Sequence, residues 1–233
     1  VKKIEKKDLA DLDSNQLNGL GETQVAALTD EQIKGLTATQ IPTLDSGFIS
    51  ALTATQIQAF TSTQLKLLTS VNASDAPSQM ATFSAEQLAL FKPDQIKAFS
   101  VEQFQSMLDD LFDDGDLTAE AKLKAMGYTG DSNQIGALTT AQLNSMSATQ
   151  LSRMSAEQVT ALTAAQLKSI AVGAFSEVDS GSDSVLSGDW VKAMGDDVAG
   201  LTTQQLTAMS GTQVAALESN QIKSLTAGQV GKL

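Results

Sequence analysis

Six acidic residues, Asp109, Asp110, Asp113, Asp114, Asp116 and Glu120, crowd around Gly115 in the segment LDDLFDDGDLTAEAKLKAMGY. Clustered carboxylate oxygens on a glycine-containing turn suit calcium, although no EF-hand loop with a glutamate at its twelfth position can be aligned here. The competing reading is a solvated loop whose carboxylates favour the N-terminus of a helix begun at Thr118. A sparser acidic run, Glu177, Asp179, Asp183 and Asp189, lies in EVDSGSDSVLSGDW. Two rings, Phe48 and the single Trp190, are candidates for contact with a protein or a glycan, and the single Tyr128 precedes a Thr-Gly turn. Covalent catalysis finds few parts: the chain has no His and no Cys, which removes the Ser-His-Asp triad, the cysteine nucleophile and every disulfide or thiolate metal site. No cofactor is called for beyond the calcium candidate.

These residues are interruptions in a repeat. Nineteen glutamines recur in tracts at a spacing of eight, each followed by an aliphatic residue, Met or Phe, and most preceded three residues earlier by Thr or Ser. The unit reads LTxxQ(I/L/V)x(A/S), as in LTATQIQA from Leu52 and LTAAQLKS from Leu162. One continuous helix cannot carry it, because eight residues at about 100° each rotate an apolar stripe about 80° per unit. Strands fit no better, since the apolar positions alternate odd steps of five and three that fall on opposite faces.

A helix start repeated every octad does fit. Thr37 with Gln40 forms a capping box, in which the hydroxyl accepts an N3 amide and the glutamine returns to the N-cap amide. Leu36 and Ile41 then occupy the two positions of the hydrophobic staple. Pro77 and Pro93 fall at the first helical position, where a missing N–H costs least, whereas Pro42 lies one turn in and weakens its helix. Asp45, Asp131 and Asp179 stand where Thr is usual and serve as N-caps. Phe48 and Trp190 each take a glutamine position, where the ring replaces capping with packing. Met126, Met146, Met154, Met194 and Met209 mostly take the Leu position and fill the core. Such helices are far below the length of about 12 residues at which isolated helices become marginal, so stacking must hold them. The fold expected is all-α, a tightly wound α-solenoid of very short helices with one capped helix per octad.

The whole chain, 1–233, reads as one solenoid with tracts 4–69, 76–107, 130–200 and 201–233 and an irregular insert at 108–130. Glutamine spacings of 15, 31 and 39 between tracts are each one short of a multiple of eight, so each joint is expected to drop a residue. MGDDVAG from Met194 is the seven-residue unit at the last joint. Lysines crowd the first repeat around Ile4, Leu9 and Leu12, as a solvated end cap requires.

A net charge of −12 disfavours nucleic acid and anionic membrane surfaces, which need a basic partner. No apolar run reaches the roughly 18 residues of a membrane span, and the start VKKIEKKDLADLD lacks the apolar core of a signal peptide. A start at Val1 and an end at the first residue of another octad suggest a piece of a longer parent. The tandem LTATQIQA, FTSTQLKL, LTTAQLNS, MSATQLSR and LTTQQLTA units resemble octad tracts of large bacterial secreted or cell-surface, adhesin-like proteins. That resemblance implies an extracellular structural or adhesive role, a non-enzymatic spacer, stalk or self-stacking filament subunit. The alternative is a protein- or glycan-binding scaffold that uses the degenerate repeats. Self-association through open solenoid ends is the partner expected first.

Overall fold

A computed structural model describes residues 5–70, 78–108, 118–176 and 186–233. Every regular element among them is helical, and most α-helices run only four to six residues. The expected all-α solenoid of short helices is what the chain forms. Helices Ala54–Ala59, Ser62–Leu65 and Ala164–Ser169 follow directly on the N-caps Thr53, Thr61 and Thr163. Each is closed by a capping box with the glutamine three residues on. The staple residues on either side, such as Leu52 with Ile57 and Leu162 with Leu167, are buried.

The prolines behave as their missing N–H requires. Pro93 opens the helix Pro93–Ala98, whereas Pro42 sits in a 3-10 turn, Ile41–Thr43, at a unit where no α-helix forms. Pro77 lies outside the described residues. So do Asp179 and Asp183.

Contacts divide the chain into two compact units, 1–126 and 127–233, and each is built the same way. A helix packs against the one three octads before it. In the first unit Ala54–Ala59 lies on Asp30–Ile33 and Pro93–Ala98 on Ser62–Leu65. In the second, Ala164–Ser169 lies on Thr140–Ser145 and Ala227–Val230 on Thr203–Ala208. The core between them is mostly aliphatic, with buried rings at several positions; Phe83, Phe91 and Phe99 fill three consecutive Leu positions. Their rings meet edge to face at 5.2 and 5.3 Å, the geometry that the ring quadrupole favours.

The joints differ from the expectation of dropped residues. Between Gln64 and Gln79 the chain holds one octad plus seven further residues, because Thr69 caps the helix that follows the interruption. Its amide donates to Gln79 Oε1 at 2.9 Å, its hydroxyl accepts from the Gln79 amide at 3.3 Å, and its carbonyl accepts from the Met80 amide at 3.2 Å. The coil thus continues from Thr69 to Ser78 as though residues 71–77 were not there. Gly127 does the same for Gln134, donating to its Oε1 at 2.8 Å and accepting the Ile135 amide at 3.0 Å. Asp131 is therefore not the N-cap that its position suggested; it lies in the exposed 3-10 turn Gly130–Ser132. The seven-residue unit MGDDVAG is accommodated by a 3-10 turn, Gly195–Gly200, which keeps Val198 buried. Gly195 enters it at φ 55°, a left-handed backbone that a side chain would resist.

Deleting residues 71–77 joins Leu68-Thr69-Ser70 to Ser78-Gln79-Met80 and so restores an uninterrupted octad. Thermal melting followed by circular dichroism should show stability equal to or up to about 1 kcal/mol above the parent, through the shorter closure. A loss of several kcal/mol would mean that Thr69 is not the true cap.

Candidate functional site

The glutamine side chain is the one group that every coil uses in the same way, and it does more than close a box. Gln56 is 1% exposed. Its Oε1 accepts the Thr53 amide at 2.8 Å, while its Nε2 donates to the carbonyls of Val25 at 2.7 Å and Leu28 at 2.8 Å. Those carbonyls stand 31 and 28 residues back in the chain. Gln40 reaches Leu9 and Leu12, and Gln64 reaches Ile33 and Leu36, at the same separations. Gln79, Gln87, Gln95 and Gln103 reach staple-residue carbonyls 38 and 35 residues back, the same places displaced by the seven added residues. In the second unit Gln166 bonds Leu138, Gln205 bonds Leu167 and Ile170, and Gln229 bonds Leu201. One carboxamide therefore satisfies a helix start in its own octad and a helix end in the coil below. Helix contacts three octads apart and these bonds, which reach back toward the fourth, place between three and four octads in one coil.

Among the described residues that stand in the glutamine position without being glutamine, three show how the loss is compensated. At Phe48 the helix is capped by Asp45, whose Oδ1 accepts the Phe48 amide at 2.8 Å, as expected of that aspartate. The amide of Asp45, which a glutamine Oε1 would have met, donates instead to Oδ1 of Asn18 at 3.2 Å, while Asn18 Nδ2 donates to the Thr43 carbonyl at 2.8 Å. At Trp190 the ring does more than pack, contrary to expectation. Its Nε1 donates to the Leu151 carbonyl at 2.9 Å, so the indole stands in for the glutamine Nε2, while Ser187 caps the Trp190 amide. At Lys122, which precedes Leu123 and Met126 in the glutamine position, a buried ammonium donates to the Ala81 carbonyl at 2.8 Å. Sequence reading missed Lys122, although the Leu123–Met126 spacing marks its place.

The sequence candidates for binding are dispersed. Phe48 and Trp190 are 2% and 3% exposed, so neither ring presents a face to solvent. Asp109, Asp110, Asp113, Asp114 and Asp116 lie outside the described residues, and Glu120 falls in the helix Thr118–Ala125 with its side chain outside them. Among the described residues no three acidic side chains gather closely enough to hold a metal ion, and no helix is long and apolar enough to cross a membrane. Tyr128 is exposed, and Met126, Met146, Met154, Met194 and Met209 are buried as core. A surface depression lined by Ala26, Leu28, Asp30, Glu31, Lys34 and Thr55 is wide and open.

Electrostatics follow the caps. Glu86, Glu102 and Glu157 stand two residues after the N-caps Ser84, Ser100 and Ser155, and each carboxyl is held below the usual range, first by its own backbone N–H and then by that serine hydroxyl. A lowered carboxylate value means that these contacts favour the fold above the ordinary 4.5 and lose their effect as pH falls below it.

The ALTTAQ repeat family model matches residues 1–46 and 195–233, which together make up less than half of the chain. The chain is thus a repeat-tract protein. No curated protein matches it. Among solved structures it is similar to "Designed armadillo repeat protein YIII(Dq)4CqI", with 17% identity over 98% of this chain and 92% of that one. The TM-score is 0.20, too low to carry a structural argument.

Two substitutions test the bridging role. Gln56→Glu keeps the acceptor for Thr53 but turns a carboxylate oxygen toward two carbonyls, so urea melts at pH 7 should show a loss of about 3 to 5 kcal/mol. Burial raises that carboxyl's pKa, so the loss shrinks as pH falls and the protonated acid donates again; an equal loss at pH 7 and pH 4 would refute the geometry. Trp190→Phe keeps most of the ring but leaves Leu151 without its donor. The cost expected is about 1 to 3 kcal/mol, and no loss would return Trp190 to a packing role alone.

Proposed function

We propose that the chain is a non-enzymatic structural repeat protein of the bacterial cell surface or extracellular space, acting as a spacer, stalk or self-stacking filament subunit. The observation that carries this reading is the use of the repeated polar groups on one another. The Thr, Ser and Gln side chains that define the octad are engaged in caps and coil-to-coil bonds. No buried side-chain nitrogen or oxygen among the described residues is left without a partner, so the core holds no poised polar group awaiting a substrate. A lattice of that kind resists local opening, which suits a part whose work is to hold distance. The acidic surface and the likeness to octad tracts of secreted proteins support the location.

A second reading, the protein- or glycan-binding scaffold, is favoured by one observation: the coil closes across added residues between Thr69 and Gln79 and between Gly127 and Gln134 without losing a glutamine bridge to the coil below at Gln79. Residues added in this way suit recognition better than the buried rings of Phe48 and Trp190.

Antibody labelling of intact producing cells, with and without external protease, tests location, and hydrogen exchange tests the lattice. Backbone amides of the central coils should exchange only through global unfolding, slower by at least about a hundredfold than those of the terminal coils. A protected cytoplasmic antigen or uniformly fast exchange would remove the spacer reading.

A further inference from the structure

Between Pro42, where no α-helix forms, and Phe48, where no glutamine serves the cap, the chain is fastened by Asn18. Its Nδ2 donates to the Thr43 carbonyl at 2.8 Å and its Oδ1 accepts the Asp45 amide at 3.2 Å, 25 and 27 residues further along the chain. The residue after it is Gly19, and Asn18-Gly19 is the only Asn-Gly pair in the sequence. The backbone does not demand that glycine. Gly19 closes the helix Ser14–Asn18 at φ −75° and ψ −6°, and Ala51 closes the helix Ser46–Ser50 at the nearly equal −80° and −6°. Ala27 and Ala59 stand at the same place in their own octads.

We propose that Asn18 is a self-modification site, at which the main-chain nitrogen of Gly19 converts the side-chain amide to an acid. The nitrogen attacks Asn18 Cγ and forms the new C–N bond. The Cγ–Nδ2 bond breaks, and Nδ2 leaves as ammonia with the proton that the Gly19 nitrogen gives up. The product is a cyclic imide. Water then adds to one of its carbonyl carbons, and the bond from that carbon to the imide nitrogen breaks, the nitrogen taking back a proton. Breakage at Cγ leaves aspartate, whereas breakage at the main-chain carbonyl leaves isoaspartate, in which the backbone runs through the former side chain. Glycine favours the attack because no side chain crowds its nitrogen as it approaches Cγ.

The fold gates this reaction. In the closed coil the Gly19 N–H donates to the Asn15 carbonyl at 2.9 Å, and both polar atoms of the Asn18 side chain are engaged. Cyclisation needs these bonds to release together, so its rate follows the fraction of time that this part of the coil stands open. Conversion removes the Nδ2 donor and sets a carboxylate oxygen against the Thr43 carbonyl, so the coil recloses less well. Asn18 therefore works as a one-way latch, in which reversible opening is turned into lasting loosening by covalent change.

Peptide mapping by mass spectrometry, on the full 233-residue chain incubated at neutral pH, tests this by following aspartate and isoaspartate at position 18. The chain unfolded in urea should convert at least about tenfold faster than the folded chain, and urea held below the unfolding transition should raise the folded rate. Gly19→Ala should keep the parent's circular dichroism and slow conversion by about tenfold or more, folded or unfolded. Asn18→Asp, which makes the product directly, should melt below the parent, and Asn144→Asp, at an exposed residue in the same octad position, should melt with it. If the folded chain forms no acid at Asn18 in urea below the transition while the unfolded chain converts, the fold excludes the reaction and the inference falls. It falls equally if Gly19→Ala converts as fast as the parent, or if Asn18→Asp melts with the parent.

Discussion

A helix of four to six residues has almost no interior. Nearly all of its amides lie within its first turn and nearly all of its carbonyls within its last, so the usual partners four residues away are missing for most of the backbone. The fold depends on finding those partners elsewhere at every octad. A primary carboxamide on a two-carbon stem is suited to this, because it carries an acceptor and two donors in one plane. Oε1 turns back to the start of its own helix, and Nε2 crosses to the end of another in the coil below. Asparagine is one methylene shorter, and glutamate lacks the donors.

This double use ties local structure to long-range order. In a typical repeat protein the cap stabilises one helix and apolar packing joins the repeats. Here the same side chain carries both functions, so a coil cannot slide on its neighbour without unmaking helix starts. That coupling accounts for the precision with which interruptions are absorbed. Thr69 and Gly127 take up the cap for a glutamine that lies beyond an added segment, and the bridge from Gln79 still finds Ile41 and Leu44. The replacements obey the same demand. Trp190 and Lys122 differ from glutamine in shape and charge, yet both deliver an N–H to a carbonyl of an earlier coil.

Much of this was legible in the residues, and the remainder was hidden for definable reasons. The capping box and staple follow from the spacing of Thr37, Gln40, Leu36 and Ile41, because they are contacts within one octad. The second use of the carboxamide is not local. A period of eight says nothing of how many units fill a coil, so the partners of Gln56 at Val25 and Leu28 could not be read. Spacing also misled at the joints: 15 residues between Gln64 and Gln79 satisfy two shortened units as well as one lengthened unit, and only the bonds of Thr69 separate them. Asp131 looked like a cap for Gln134 for the same reason. The spacing puts Trp190 in the glutamine position, but the acceptor of its indole N–H, the Leu151 carbonyl, lies 39 residues back and leaves no trace within the octad.

The glutamine bridges, unlike the one that Lys122 makes, are also electrically neutral. A chain with a net charge of −12 that relied on ion pairs to hold its turns together would loosen as salt screened them, or as acid discharged the carboxylates. Amide-to-carbonyl bonds buried between coils are nearly indifferent to both. The cohesion of the coil is thereby separated from the charge on its surface, and the exterior can change its acidity, or meet brine, without the interior taking part.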